Sequence, residues 1–168
     1  APGSTFKPIS AIAGLEEGVI DADTYITDYV EYTKVVPHAN CWNSAGHGTI
    51  NVEQAIEYSC NYFFYEVGYR LGSKNNTTEL NDSTGLALLA KYAKMFGLDS
   101  VSGLELPETT PRISDESVVR SAIGQATHNY TAAELARYVT AIANSGNLYQ
   151  LSILDKITDS EGNVLEEN

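Results

Sequence analysis

The stretch that most restricts this chain is residues 62–71, Tyr62-Phe63-Phe64-Tyr65-Glu66-Val67-Gly68 running on to Leu71. It is apolar or aromatic nearly all round a helical projection, and a helix apolar on every side is a buried one. The sequence therefore predicts a helix enclosed by the rest of the fold. The material to enclose it is present: 43% of the 168 residues are hydrophobic, with eleven Tyr, four Phe and one Trp. That is enough for a packed core, and it argues against disorder. The length fits one domain, or a large part of one.

Charge narrows the partners. Twenty-two acidic against ten basic residues give a formal net charge of −12. Such a surface repels phosphate backbones and anionic headgroups, so no nucleic acid and no direct membrane-surface binding are expected. No run reaches the roughly 18 to 20 apolar residues of a membrane helix, and no signal peptide opens the chain.

Around the central helix, periodicity and punctuation predict a mainly α chain of about six helices. Residues 5–17 place Phe6, Ile9, Ile12, Ala13 and Leu15 around one side. Residues 19–48 read as an extended or short β-like excursion. Asn51 with Gln54 forms a capping box for a helix over 52–58, and Thr131 with Glu134 forms another for a helix ending at Asn144-Ser145-Gly146. Residues 74–84 read as an exposed loop and 85–96 as an amphipathic helix closed by Gly97. Residues 98–115 read as a long connection, and 116–123 as a short helix capped by Ser114 or Asp115. Residues 152–158 and 164–165, around Asp159-Ser160-Glu161-Gly162-Asn163, read as a β-hairpin with little to pair with.

Two clusters carry chemistry. Ser4 and Lys7, in Pro2-Gly3-Ser4-Thr5-Phe6-Lys7-Pro8, share one face of a first helical turn. A serine hydroxyl needs a base to become a nucleophile. A lysine can be that base only if burial and a helix N-terminus disfavour its ammonium. Ser59 and Asn61 lie between two predicted helices, where a hydroxyl can relay a proton and an amide can hold a substrate amide or the lysine.

Ser4-Thr5-Phe6-Lys7 and Ser59-Cys60-Asn61 resemble the first two of three signature motifs of the penicillin-recognising serine enzymes. Gly46-His47-Gly48 with Ile50-Asn51-Val52, the Tyr62–Gly68 run, Ile123-Gly124-Gln125 and Ala141-Ile142-Ala143-Asn144-Ser145-Gly146 resemble class B transpeptidases of the cell-elongation type. The resemblance implies that 1–168 is a partial transpeptidase domain: the helical subdomain of the transpeptidase and serine β-lactamase-like fold, with most of the central sheet missing. It implies Ser4 as acylated nucleophile, Lys7 as general base, Ser59 as proton relay and Asn61 as a substrate contact, with Gly46-His47-Gly48 and Gly124-Gln125 shaping the cleft. The implied reaction is cross-linking of cell-wall stem peptides ending in D-Ala-D-Ala, with β-lactams acylating the same serine and no cofactor. The implied location is the extracytoplasmic face of a bacterial membrane, reached through an anchor outside this chain.

The third motif, Lys-Thr-Gly or Lys-Ser-Gly, follows none of Lys7, Lys34, Lys74, Lys91, Lys94 and Lys156. In the family its strand gives one oxyanion-hole N–H, so this chain alone is expected to acylate poorly. Apolar faces meant for the absent sheet would favour self-association. Two alternatives stay open. A class A β-lactamase needs a Glu-x-x-x-Asn on a later loop, whereas Glu105 and Glu108 are followed at that spacing by Thr109 and Arg112. A β-lactam sensor or degenerate scaffold would keep Ser-x-x-Lys. Cys41 and Cys60 could form a disulfide. As ligands with His38 and His47 they match no zinc spacing, so the reading is free, buried thiols near a structural histidine and no metal.

Overall fold

The computed structural model describes residues 1–74 and 79–167. The aromatic run forms helix α3, Asn61–Gly72, with Phe63, Phe64, Val67 and Leu71 fully buried. Among the described residues four helices pack on it: α1 (Lys7–Glu16), α2 (Val52–Glu57), α4 (Asp82–Met95) and α5 (Val118–Ser121). At the α3–α5 crossing, a Cβ on Gly68 would lie 2.9 Å from both the Val118 carbonyl oxygen and the Ala122 Cβ, so only glycine lets the two backbones come this close. A last helix, α6 (Ala132–Ala143), joins through Tyr138, whose hydroxyl donates to the Thr5 carbonyl.

The expected extended excursion is two small antiparallel pairs. Strand β1 (Ile26–Asp28) pairs with β4 (Gly48–Ile50), setting Ile26 opposite Ile50 and Asp28 opposite Gly48. Between them in sequence, β2 (Glu31–Tyr32) pairs with β3 (Ala39–Asn40). The C-terminal hairpin forms from β5 (Lys156–Thr158) and β6 (Val164–Glu167). Its residues are exposed along both strands, and among the described residues neither pairs with another strand. Ile153, Ile157, Val164 and Leu165 are exposed there, the kind of apolar surface that motivates the expected self-association.

Both capping boxes are in place. Asn51 Oδ1 accepts from the Gln54 N–H (3.1 Å) and Gln54 Oε1 from the Asn51 N–H (3.2 Å), and Thr131 with Glu134 repeats the exchange. Three helix starts differ from expectation. The first segment opens as a 3₁₀ turn, Gly3–Phe6, before α1. The expected loop at 74–84 ends early, because Asn81 caps the Thr84 N–H (3.0 Å) and draws Asp82-Ser83-Thr84 into α4. Residues 75–78 of that loop lie outside the described residues. Helix α5 takes its cap from neither Ser114 nor Asp115: the Val118 N–H donates to Asp82 Oδ1, 36 positions earlier (2.7 Å). Ser114 is engaged elsewhere, by the Ser121 hydroxyl and Thr127.

Candidate active site

The four residues singled out by motif meet at one place. Ser4 lies on the exposed 3₁₀ turn, and Lys7 opens α1 with its side chain buried beneath it. Lys7 Nζ donates to the Ser59 carbonyl (2.6 Å), to Asn61 Oδ1 (2.8 Å) and to Ser59 Oγ (3.0 Å). The Ser59 hydroxyl in turn donates to Ser4 Oγ (2.7 Å). Ser59 can reach both partners because it sits at φ +53°, the left-handed region that serine seldom occupies, in the turn between α2 and α3. Cys60 then begins α3 as its N-cap, with Sγ accepting from the Phe63 N–H (3.4 Å). The Trp42 indole N–H also donates to the Ser59 carbonyl (2.9 Å), closing the turn from outside.

Burial sets the electrostatics. Desolvation brings Lys7 down from the ordinary lysine range to about 8, while interaction with the nearby Cys60 and Cys41 sulfurs pulls the other way. Its three acceptors suit an ammonium in the resting arrangement, yet the proton is held weakly enough to leave near neutral pH. The proton path between Ser4 and Lys7 is indirect: the Ser59 hydroxyl bridges them.

The Ser4 turn is held from behind by residues that spacing alone could not assign. The Gly3 N–H donates to the Gly124 carbonyl (3.0 Å), and Ser10 Oγ donates to the Ala122 carbonyl (2.7 Å). Phe6 packs on His128 with ring centroids 4.2 Å apart. Burial pushes His128 down to about 4, so the ring is neutral. The Ser114 N–H donates to its Nδ1 (3.1 Å), which assigns the proton to Nε2, facing the Ser121 carbonyl (3.2 Å). Further along α3, Glu66 is buried but ionised. Burial raises its pKa, and hydrogen bonds from Lys34 (2.8 Å), Arg70 (2.9 Å) and Tyr32 (2.7 Å) more than offset it. A hollow of about 330 Å³ lies beside this ion cluster, lined by Tyr25, Tyr29, Tyr62, Lys34 and Glu66, and includes none of the Ser–Lys–Ser–Asn set.

One grouping keeps the expected free, buried thiols and adds a fourth residue that the sequence reading did not include. Cys41 and Cys60 are free thiols with Sγ atoms 3.9 Å apart, not a disulfide. His38 is remote from them, paired with Glu31. His47 does join them: its Nδ1 is 3.5 Å from Cys41 Sγ and 2.7 Å from Asp28 Oδ2, which also accepts from Cys60 Sγ (3.4 Å). The four donor atoms lie within 4.8 Å of one another, and Trp42 and Tyr58 flank the imidazole. Two sulfurs, one nitrogen and one carboxylate oxygen, nearly shielded from water, are a donor set that suits tetrahedral zinc. Sequence spacing gives no sign of this grouping, because Asp28, on β1, belongs to no motif and the other three residues are scattered along the chain.

Such a fold, with two hydroxyls, a buried amine and an amide gathered at one interhelical turn, defines the helical part of a penicillin-recognising domain. The family model "Penicillin binding protein transpeptidase domain" matches residues 1–168, and the chain belongs to that family. It is 30% identical over 159 residues to penicillin-binding protein 2B of Streptococcus pneumoniae, covering 86% of this chain and 23% of that protein. It is 25% identical over 163 residues to peptidoglycan D,D-transpeptidase MrdA of Acinetobacter baumannii, covering 87% of this chain and 22% of that protein. The chain thus spans about a quarter of the length of these relatives. In fold it is similar to penicillin-binding protein A from M. tuberculosis, solved as an imipenem acyl-enzyme complex, with TM-score 0.80 at 22% identity over 99% of this chain and 38% of that one.

Proposed function

We propose that this chain supplies the nucleophile half of a peptidoglycan D,D-transpeptidase. Ser4 Oγ attacks the carbonyl between the two D-Ala residues of a stem peptide. Its proton passes to Ser59 Oγ as the Ser59 proton passes to neutral Lys7. The terminal D-Ala leaves as an amine carrying a proton returned along the same path. An amine of a neighbouring stem then takes the acyl group and frees Ser4. A β-lactam enters at the first step and stays. Asn61 holds Lys7 and, in the intact site, meets the substrate's amide. The zinc-class pocket, if filled, would brace the Ser59–Asn61 turn from below and take no part in acyl transfer.

The observation that carries this reading is the unbroken line Lys7–Ser59–Ser4, with 3.0 and 2.7 Å steps ending on an exposed hydroxyl. We place the intact protein at the extracytoplasmic face of the membrane, anchored by a segment outside this chain. Among the described residues no helix is long and apolar enough to cross a bilayer.

Labelling the intact protein with fluorescent penicillin and mapping the adduct by mass spectrometry tests the assignment; an adduct on any residue but Ser4 rejects it. The rate should also depend on pH. Burial lowers the Lys7 pKa, so its neutral, proton-accepting form gains population as pH rises through about 8. Acylation should therefore climb about tenfold per unit below that value and level off above it. A rate flat from about pH 6.5 to 9.5 would exclude Lys7 as the base.

The 168-residue chain by itself should label at least about 10²-fold more slowly than the intact protein, since a full oxyanion hole needs a second N–H from the Lys-Thr-Gly strand. Equal rates would show that this strand is dispensable.

A further inference from the structure

Cys60 is the middle residue of the Ser59–Asn61 turn, so its side chain and Lys7's three acceptors share one short piece of backbone. Its sulfur holds this piece in register: it accepts the Phe63 N–H that starts α3 and donates to Asp28. Cys41 Sγ, 3.9 Å away, is close enough for reaction but well beyond the roughly 2.05 Å of a disulfide. Closing that gap requires Cys60, Cys41 or both to move, and moving Cys60 gives up its contacts with the Phe63 N–H and with Asp28, each 3.4 Å. Cys41 is 6% exposed and Cys60 fully buried, so a small oxidant can reach only Cys41 first.

We propose that Cys41 and Cys60 form a redox-sensitive clamp on the Ser59–Asn61 turn. Reduced, the pair is available with Asp28 and His47 to a zinc-class ion; oxidised to a disulfide, it releases the ion and pulls the Lys7 acceptors out of line. The oxidant is a peroxide. Hydrogen peroxide transfers one oxygen to the Cys41 sulfur, giving a sulfenic acid and one water. The Cys60 sulfur then attacks that sulfur, the S–S bond forms, and the departing hydroxide leaves with the thiol proton as a second water. Two sulfurs lose one electron each, and the peroxide gains both. From the metal-bound form the same sum takes up two protons and frees the divalent ion. A metal held by both sulfurs would draw on their electron density and lower their nucleophilicity, and so would protect the pair.

The clamp rests on the proposed acylation only for its rate readout; cross-linking and metal binding are read without it. The intact protein, reduced and then stripped of metal, is treated with hydrogen peroxide and digested for peptide mass mapping. Parallel samples carry one equivalent of zinc. The metal-free sample should yield a Cys41–Cys60 linked peptide lighter by two hydrogens, and its penicillin labelling should slow by about tenfold or more, as expected when catalytic groups shift by a fraction of an ångström. Dithiothreitol should restore the rate. The zinc-loaded sample should resist linkage and release zinc to a chromogenic chelator only as linkage proceeds. Cys41→Ser and Cys60→Ser proteins should each label at the same rate before and after peroxide. Formation of unlinked sulfinic acids, or a linked protein that labels as fast as the dithiol form, would overturn the clamp. Linkage equally fast with zinc present would overturn the protection. A reduced protein that never labels while the link still forms would fault the acylation reading instead.

Discussion

Replacing Lys7 with alanine is expected to slow penicillin acylation of the intact protein by about 10²- to 10⁴-fold, the range for loss of a positioned general base. Lys7 is the one described group that reaches both the Ser59 hydroxyl and the Asn61 amide. Its loss leaves Ser59 Oγ with no proton acceptor and Ser4 unactivated. Stability should change far less. The substitution orphans acceptors, at a cost of about 1–3 kcal/mol, and also removes a buried cation whose desolvation cost the fold a similar amount. Labelling rates and thermal melts on the same preparations separate the two effects. A Lys7→Ala protein that labels within about threefold of the parent, where about 1.4 kcal/mol would already give tenfold, would take the lysine out of the reaction.

Gly124→Ala should be the most damaging small substitution away from the reacting groups. Gly124 has φ +74°, and an added Cβ would sit 2.0 Å from the Gly3 carbonyl oxygen and 2.9 Å from its nitrogen. The neighbouring atoms are backbone, so neither can swing aside. Left-handed strain adds about 1 kcal/mol and the overlap about 1–3 more. The Gly3–Ser4 turn must retreat, and a shift near 1 Å at the nucleophile costs on the order of 10² in rate. Gly146→Ala is the control: φ is +93° there too, but nothing lies within 4 Å of the added carbon. It should show the backbone cost alone and label normally. If Gly124→Ala melts and labels like Gly146→Ala, the Gly3–Gly124 contact does not hold Ser4 in place.

Local chemistry accounts for what was legible in the sequence. Capping boxes at Asn51 and Thr131, the all-round apolar helix and the C-terminal hairpin each depend on residues within a few positions of one another, and each appears where expected. The Ser4–Lys7 and Ser59–Asn61 pairs were visible for the same reason. Their convergence was not a matter of spacing: it depends on α1 and α3 packing together across 52 to 55 positions, and only the family resemblance pointed to it. Long-range substitutions for local features explain the misses. Asp82 caps α5 from another helix, Asp28 reaches the cysteines from β1, and His128 supports Phe6 from the far side of α5. None of these leaves a periodic or motif trace in the chain.

Serine at position 59 has a backbone conformation that glycine would adopt freely and a hydroxyl that glycine would lack. The position therefore sets durability against chemistry within a single residue. Selection for heat resistance alone would push it toward glycine, and selection for the proposed acyl transfer would push it back. A lineage that had given up acyl transfer while keeping the fold should show the change at this turn early, before its core begins to drift.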